Sequence, residues 1–143
     1  MRNIYFVFVL IAAFSFTACT KEAVRMDLAN ACVGENDGKY ITTSGYLDPS
    51  VSIFCSNIGG GPVRCGLDLI GKKGEKRVMG ADIQKGSGAD EIEELPSGYK
   101  DSDVKIHDNS GAVINLADKV TLTGKVSVVP GSTCFMTVDK IEK

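Results

Sequence analysis

Lys119-Val120-Thr121-Leu122-Thr123-Gly124-Lys125-Val126-Ser127-Val128-Val129 is followed, after a Pro130-Gly131 turn, by Cys134-Phe135-Met136-Thr137-Val138-Asp139-Lys140-Ile141. On this stretch the fold turns. Successive side chains of a strand point to opposite faces. Val120, Leu122, Val126 and Val128 therefore share one face, with Thr121, Thr123, Lys125 and Ser127 on the other. In the second segment Met136 and Val138 lie on the Cys134 side. Two long alternating runs joined by a Pro-Gly turn predict an antiparallel pair with one buried face.

Working back toward the start of the chain, the signals stay β. Val113-Ile114-Asn115-Leu116 is a short strand, and Asn109-Ser110-Gly111 turns the chain after Val104 to Asp108. In that segment His107 alternates with Ile106 and is expected outside beside Lys105, with no nucleophile paired to it. Tyr40 to Leu47 is rich in strand formers around a central Gly45, which suits a bulge or tight bend. Val51 to Cys55 alternates, as do Cys65 to Ile70, and a further strand is predicted around Arg77 to Gln84. Gly59-Gly60-Gly61-Pro62 reads as a loop; it lacks the Lys-Ser/Thr ending and the helix of a phosphate cradle. Val24, Leu28 and Ala31 fall at helical spacing and predict one short helix over Glu22 to Val33.

Asp90, Glu91, Glu93 and Glu94 form an acidic cluster around Ile92. Clustered carboxylates suit calcium, but no alternating Asp/Asn loop with its Gly is present, so a solvated acidic face is expected. Paired carboxylates also serve glycoside hydrolysis, and spacing alone leaves that chemistry open. Nothing in the segment suggests burial that would shift a pKa.

The opening residues carry a different message. Arg2 precedes an apolar run from Ile4 to Phe16, shorter than the ~20 residues that span a bilayer. A basic start, a short apolar middle and a small-residue ending make a signal peptide over residues 1–18. Arg2 is the only charge in those residues, so without them the net charge moves from −2 to −3. Half of the aromatic residues leave as well; Tyr40, Tyr46, Phe54, Tyr99 and Phe135 remain. A binder of single-stranded nucleic acid needs a basic groove with stacking platforms, so no nucleic-acid partner is expected.

The chain has five cysteines. Cys32, Cys55, Cys65 and Cys134 form an even set in an exported, oxidising setting, which implies two disulfides with three connectivities open. No C-x-x-C pair exists and His107 has no ligand-like spacing, so neither a zinc site nor any other metal or cofactor is expected.

Phe16-Thr17-Ala18-Cys19 resembles the lipobox of bacterial lipoproteins. The resemblance implies a thioether-linked diacylglycerol on Cys19, which becomes the first residue and attaches the chain to a membrane. Phe16 departs from the usual Leu. Thr20 is not the Asp that retains such proteins in the inner membrane of enteric bacteria, which favours the outer membrane. The order of strands resembles the OB-fold, a small five-stranded Greek-key barrel. The matching stretches are Gly38 to Leu47, Val104 to Gly111 as a middle strand, and the pair Lys119–Val126 and Cys134–Ile141. The chain looks like OB-type lipoproteins of Bacteroidetes-like bacteria, with Gly86-Ser87-Gly88, Leu95-Pro96 and Tyr99 in a similar order.

The expected fold is therefore all-β: a small OB-fold-like barrel over residues 37–143 with a short N-terminal helix and an extra hairpin between residues 49 and 100. Residues 19–36 hold the lipidated Cys, tether and helix. The resemblance implies Cys32–Cys134, because the chain before strand one lies near the turn between strands four and five, and a local Cys55–Cys65 staple. Loop-entropy reasoning assigns about 3 kcal/mol to the short loop and ~4.7 kcal/mol to the long one. Function is expected to be non-enzymatic: a membrane-anchored envelope module binding a protein or glycan. The alternatives are an inhibitor of lysozyme-type hydrolases and a carboxylate-based hydrolase. Acylation of Cys19 predicts a mass increase on the N-terminal peptide and loss of membrane retention in Cys19→Ala; retention by that variant would refute the anchor.

Overall fold

A computed structural model describes residues 21–131 and 133–143; the signal peptide expected over residues 1–18 and the lipidation expected at Cys19 fall outside the described residues. Ten strands and one helix follow in order. They are β1 (Val24–Arg25), α1 (Leu28–Ala31), β2 (Tyr40–Asp48), β3 (Phe54–Ser56), β4 (Arg64–Ile70), β5 (Met79–Lys85), β6 (Glu91–Ile92), β7 (Ile106–His107), β8 (Val113–Ile114), β9 (Lys119–Val128) and β10 (Cys134–Glu142). Five of them close a barrel. β2 pairs antiparallel with β4, β4 with β5, β10 with β9 and β9 with β2, while β5 and β10 run parallel. This cyclic order, β2-β4-β5-β10-β9, is that of a five-stranded Greek-key barrel.

The stagger follows from register. Asp48 stands opposite Asp68, Asp68 opposite Gly80, Gly80 opposite Phe135 and Phe135 opposite Ser127. Ser127 lies two residues beyond Lys125, the partner of Tyr40, so the row re-enters β2 near Gly38, a shift of about ten residues. Such a shift tilts the strands and narrows the interior until side chains fill it. Ile41, Leu69, Met79, Ile83, Leu122, Val126, Met136 and Ile141 are all but inaccessible to solvent. α1 brings Leu28 and Ala31 to the core at one end. Residues 86–118 bring Ile92, Val104, Ile106 and Ile114 to it from β6, β7 and β8 and the turns between them.

Two glycines mark where backbones meet. A Cβ on Gly45 would lie 2.7 Å from the Ile70 carbonyl oxygen, where β2 exchanges β9 for β4 as its neighbour. A Cβ on Gly124 would collide with the Thr137 carbonyl, beside the register shift between Val138 and Lys140 that leaves Asp139 as the extra residue.

Several expectations are corrected. The helix predicted over Glu22 to Val33 is confined to Leu28–Ala31, because Val24 and Arg25 instead pair in parallel with Ile41 and Thr42. Hydrogen bonds to a free strand edge outweigh the weak helical spacing of three small apolar residues. Val104 to Gly111 is not a barrel strand; it forms the β7–β8 hairpin on the connector, and Met79–Lys85 takes the barrel position. The extra hairpin is β3–β4, with Cys55 opposite Cys65. The strand expected from Val51 starts only at Phe54, leaving Val51 exposed.

Gly124→Ala should destabilise the barrel by about 1–3 kcal/mol, since the obstacle is backbone and cannot rotate away. Gly61→Ala, with nothing within 4 Å, should stay within about 0.5 kcal/mol. Urea denaturation of both variants checks the contrast, and equal midpoints would contradict the packing described.

Candidate functional site

The two disulfides join Cys32 to Cys134, with Cα atoms 5.5 Å apart, and Cys55 to Cys65, at 4.0 Å. These are the pairs that the OB resemblance implies. The first ties the segment after α1 to the start of β10; the second fastens β3 to β4. Both therefore hold the walls of what lies between them.

Between the β3–β4 hairpin and β10 runs an open groove of about 540 Å³. Its floor follows from register. Phe54 faces Gly66, Gly66 faces Asp82, and Asp82 faces Thr137; in the next row Asp68, Gly80 and Phe135 are neighbours. Alternation places Cys65, Leu67, Ala81, Ile83 and Met136 in the core, so this second set faces outward. Gly66 contributes no side chain, so the sheet surface dips beside Phe54, whereas the space above Gly80 is taken by the Arg77 guanidinium. Phe54 is 72% exposed and Ile58, on the loop of the hairpin, 92% exposed.

Polar groups are set into this apolar trough. One Nη of Arg64 donates to the carbonyl oxygens of Asp82 and Val138, each at 3.2 Å, which fixes the guanidinium across β5 and β10. Burial pushes the Asp82 carboxyl above its ordinary value, while Arg64 and Arg77 pull it down. Arg77 is also paired with Asp68 at 3.5 Å. Two aromatic edges, a glycine floor, a fixed guanidinium and a desolvated carboxylate make a surface that can stack an apolar face and hydrogen-bond its polar rim. Sequence reasoning nominated none of these residues. The available signal was that Phe54 and Phe135, two of few aromatics, alternate with the cysteines and so had to face out.

The acidic cluster is not simply a solvated face. Asp90 accepts from the Ile141 amide at 2.6 Å, and Glu91 from the Gly88 amide at 2.7 Å and the Gln84 side chain at 2.8 Å. Glu94 pairs with Lys85 at 3.1 Å. Glu93 reaches His107, whose expected outward position is corrected here: the residue is 9% exposed. Its Nε2 lies 2.9 Å from Glu93 and its Nδ1 3.0 Å from the Gly111 carbonyl. Both ring nitrogens face acceptors, so the doubly protonated imidazolium satisfies both. The Gly111 carbonyl and then Glu93 raise the His107 pKa above 6.5; His107 foremost, then Lys105, lowers that of Glu93 below 4.5. The lowering at Glu93 comes from these partners and not from burial, which was not expected to shift a group in this segment. Alternation fails at His107 because the β7–β8 hairpin leaves the barrel, and its second face packs against Glu93 rather than water.

Gly59 and Gly60 have positive φ and sit in the open loop of the hairpin. Among the described residues no group of three or more His, Cys, Asp or Glu side chains is placed to hold a metal ion, and no helix is long and apolar enough to cross a membrane. Compared with known proteins, the chain matches no family model, no curated protein and no solved structure.

The His107–Glu93 contact predicts a signed pH dependence. Raising the His107 pKa adds stability that is complete below 6.5 and lost as pH climbs through the folded-state value. Lowering the Glu93 pKa adds stability that is present above 4.5 and lost as pH falls through its folded value. The pair therefore contributes most between those two ordinary values. His107→Gln should lower the urea midpoint more in that window than at alkaline pH; a pH-independent difference would refute the pairing.

Proposed function

We propose that the chain is a membrane-anchored, non-catalytic binding module of a bacterial cell envelope, and that its ligand occupies the groove across β4, β5 and β10. The observation that carries this reading is the groove's construction: Gly66 clears the floor, Phe54 and Phe135 stand at the edges, and Arg64 is pre-ordered by two carbonyls. A glycan fits this chemistry, since a sugar ring offers an apolar face for the phenyl rings and hydroxyls for Asp82 and Arg64. Support for a non-catalytic role comes from the carboxylates of residues 90–94, whose oxygens hold amides, His107 and Lys85. The anchor on Cys19 and the place in the outer membrane rest on the signal and lipobox residues alone.

A second reading, inhibition of a lysozyme-type hydrolase, draws on the β3–β4 hairpin. Its loop carries the exposed Ile58 and is stapled at its base by Cys55–Cys65. A rigid projecting loop suits insertion into an enzyme cleft, because little conformational freedom is lost on binding. A direct lysozyme inhibition assay separates the two readings.

Titration with soluble fragments of envelope glycan, followed by amide chemical shifts, should move Gly66, Asp82 and Thr137 together. Phe54→Ala should weaken binding on the order of tenfold, as for an aromatic anchor. Shifts confined to other faces, or affinity unchanged in Phe54→Ala, would remove the groove from the proposal.

A further inference from the structure

We infer that the β2–β9 wall of the barrel lies against anionic phospholipid headgroups, so that the groove faces directly away from the membrane. The inference rests on the proposed acylation of Cys19. Only Thr20 separates Cys19 from Lys21, and a chain extends at most about 3.6 Å per residue, so Lys21 is held within roughly 7 Å of the acylated residue. Very little free chain follows. Val24 and Arg25 already pair with Ile41 and Thr42, and the Met26 amide donates to the Thr42 carbonyl at 3.0 Å. From Lys21 the chain reaches β1 within three residues, so an attachment at Cys19 keeps the barrel close to the bilayer.

The surface at the point of attachment suits headgroups. The Lys21 ammonium sits 5.9 Å from the centre of the Tyr40 ring, and Lys125 is the cross-strand partner of Tyr40. Further along the seam, Thr42 bonds to Thr123 at 2.8 Å and Ser44 to Thr121 at 2.9 Å, and Lys119 stands opposite Tyr46. On this face Thr42 and Thr123 are buried, Ser44, Thr121 and the two tyrosines are half-buried, and the lysines stand out from it. Arg25, Lys119 and Lys125 are exposed and carry no ion pair among the described residues. The acids nearby are Glu22, Asp27, Asp37, Asp118, Asp139 and Glu142; Asp118 is paired with Lys143 at 2.9 Å, Glu142 with Lys140 at 2.8 Å, and Asp37 accepts from the Val128 amide at 2.9 Å. Basic groups left over at an anionic surface are attracted to it.

Topology then sets the direction of the groove. In the ring β2-β4-β5-β10-β9, the strand opposite the β2–β9 seam is β5, which carries Asp82 in the lining of the groove.

The test is acetylation of lysines on the acylated full-length mature chain in vesicles of phosphatidylethanolamine and phosphatidylglycerol, compared with detergent solution. Flotation with the vesicles and the acylated mass of the N-terminal peptide are measured first. Headgroup contact keeps an ammonium protonated, so Lys21, Lys119 and Lys125 should react about fivefold more slowly on vesicles, with Lys85, Lys100 and Lys105 unchanged. The doubly substituted chain Lys119→Glu/Lys125→Glu should still float and keep the slowing at Lys21, which the anchor alone imposes, but its orientation should no longer be fixed, so that Lys85 and Lys105 become slowed on vesicles. Uniform rates in the floating unsubstituted chain, or slowing at Lys85 and Lys105 there instead, would overturn the orientation alone. A chain that neither floats nor carries the acyl mass would overturn the anchor and the orientation together.

Discussion

Everything in this protein depends on the ladder between β2 and β9. It joins Tyr40–Tyr46 to Lys119–Lys125 across most of the chain and closes an open sheet into a barrel. Closure removes the long unpaired edges that a free sheet would expose. It also brings inward residues from all five strands into one small core of Ile, Leu, Val and Met, without a single aromatic side chain among its fully buried members. Loop-closure entropy must be overcome before such distant segments reward pairing, and the two disulfides reduce that cost by constraining the unfolded chain. The placement of Cys32–Cys134 is informative: it locks the segment that covers one end of the barrel to the strand beside β9.

Closure also divides the outside of the barrel into unlike sectors. One sector has Gly66, two phenylalanines, Arg64 and Asp82; the opposite one has hydroxyl rungs and lysines. The β3–β4 hairpin raises one wall of the first sector, and β1 occupies the edge of β2 in the second. A binding face proposed for the first and a membrane contact proposed for the second are compatible, since neither uses a residue of the other. The connector over residues 86–118 serves neither; its acids and His107 act as fasteners that hold it beneath β5 and β10.

Much of this was legible in residue order. Alternation in Lys119–Val128 and Cys134–Ile141 identified the last strand pair to within a residue or two, and the even set of four cysteines implied two bridges. What was misread has a common origin. Val24 and Arg25 looked helical because spacing is judged within the segment, whereas the edge of β2 that captured them lies elsewhere. His107 looked exposed because alternation assumes one wet face, and Glu93 and the Gly111 turn cover that face.

The sequence by itself determined the all-β character, the buried face of each long strand and the parity of the cysteines, because these follow from local covalent geometry and composition. Only the tertiary structure decided which strands are neighbours, that Met79–Lys85 rather than Val104–Gly111 completes the barrel, and that Phe54, Arg64, Asp82 and Phe135 share one groove. Adjacency across a sheet is set by register between segments far apart in sequence. No local pattern carries that register; it emerges only when the buried faces of all five strands must fill one interior.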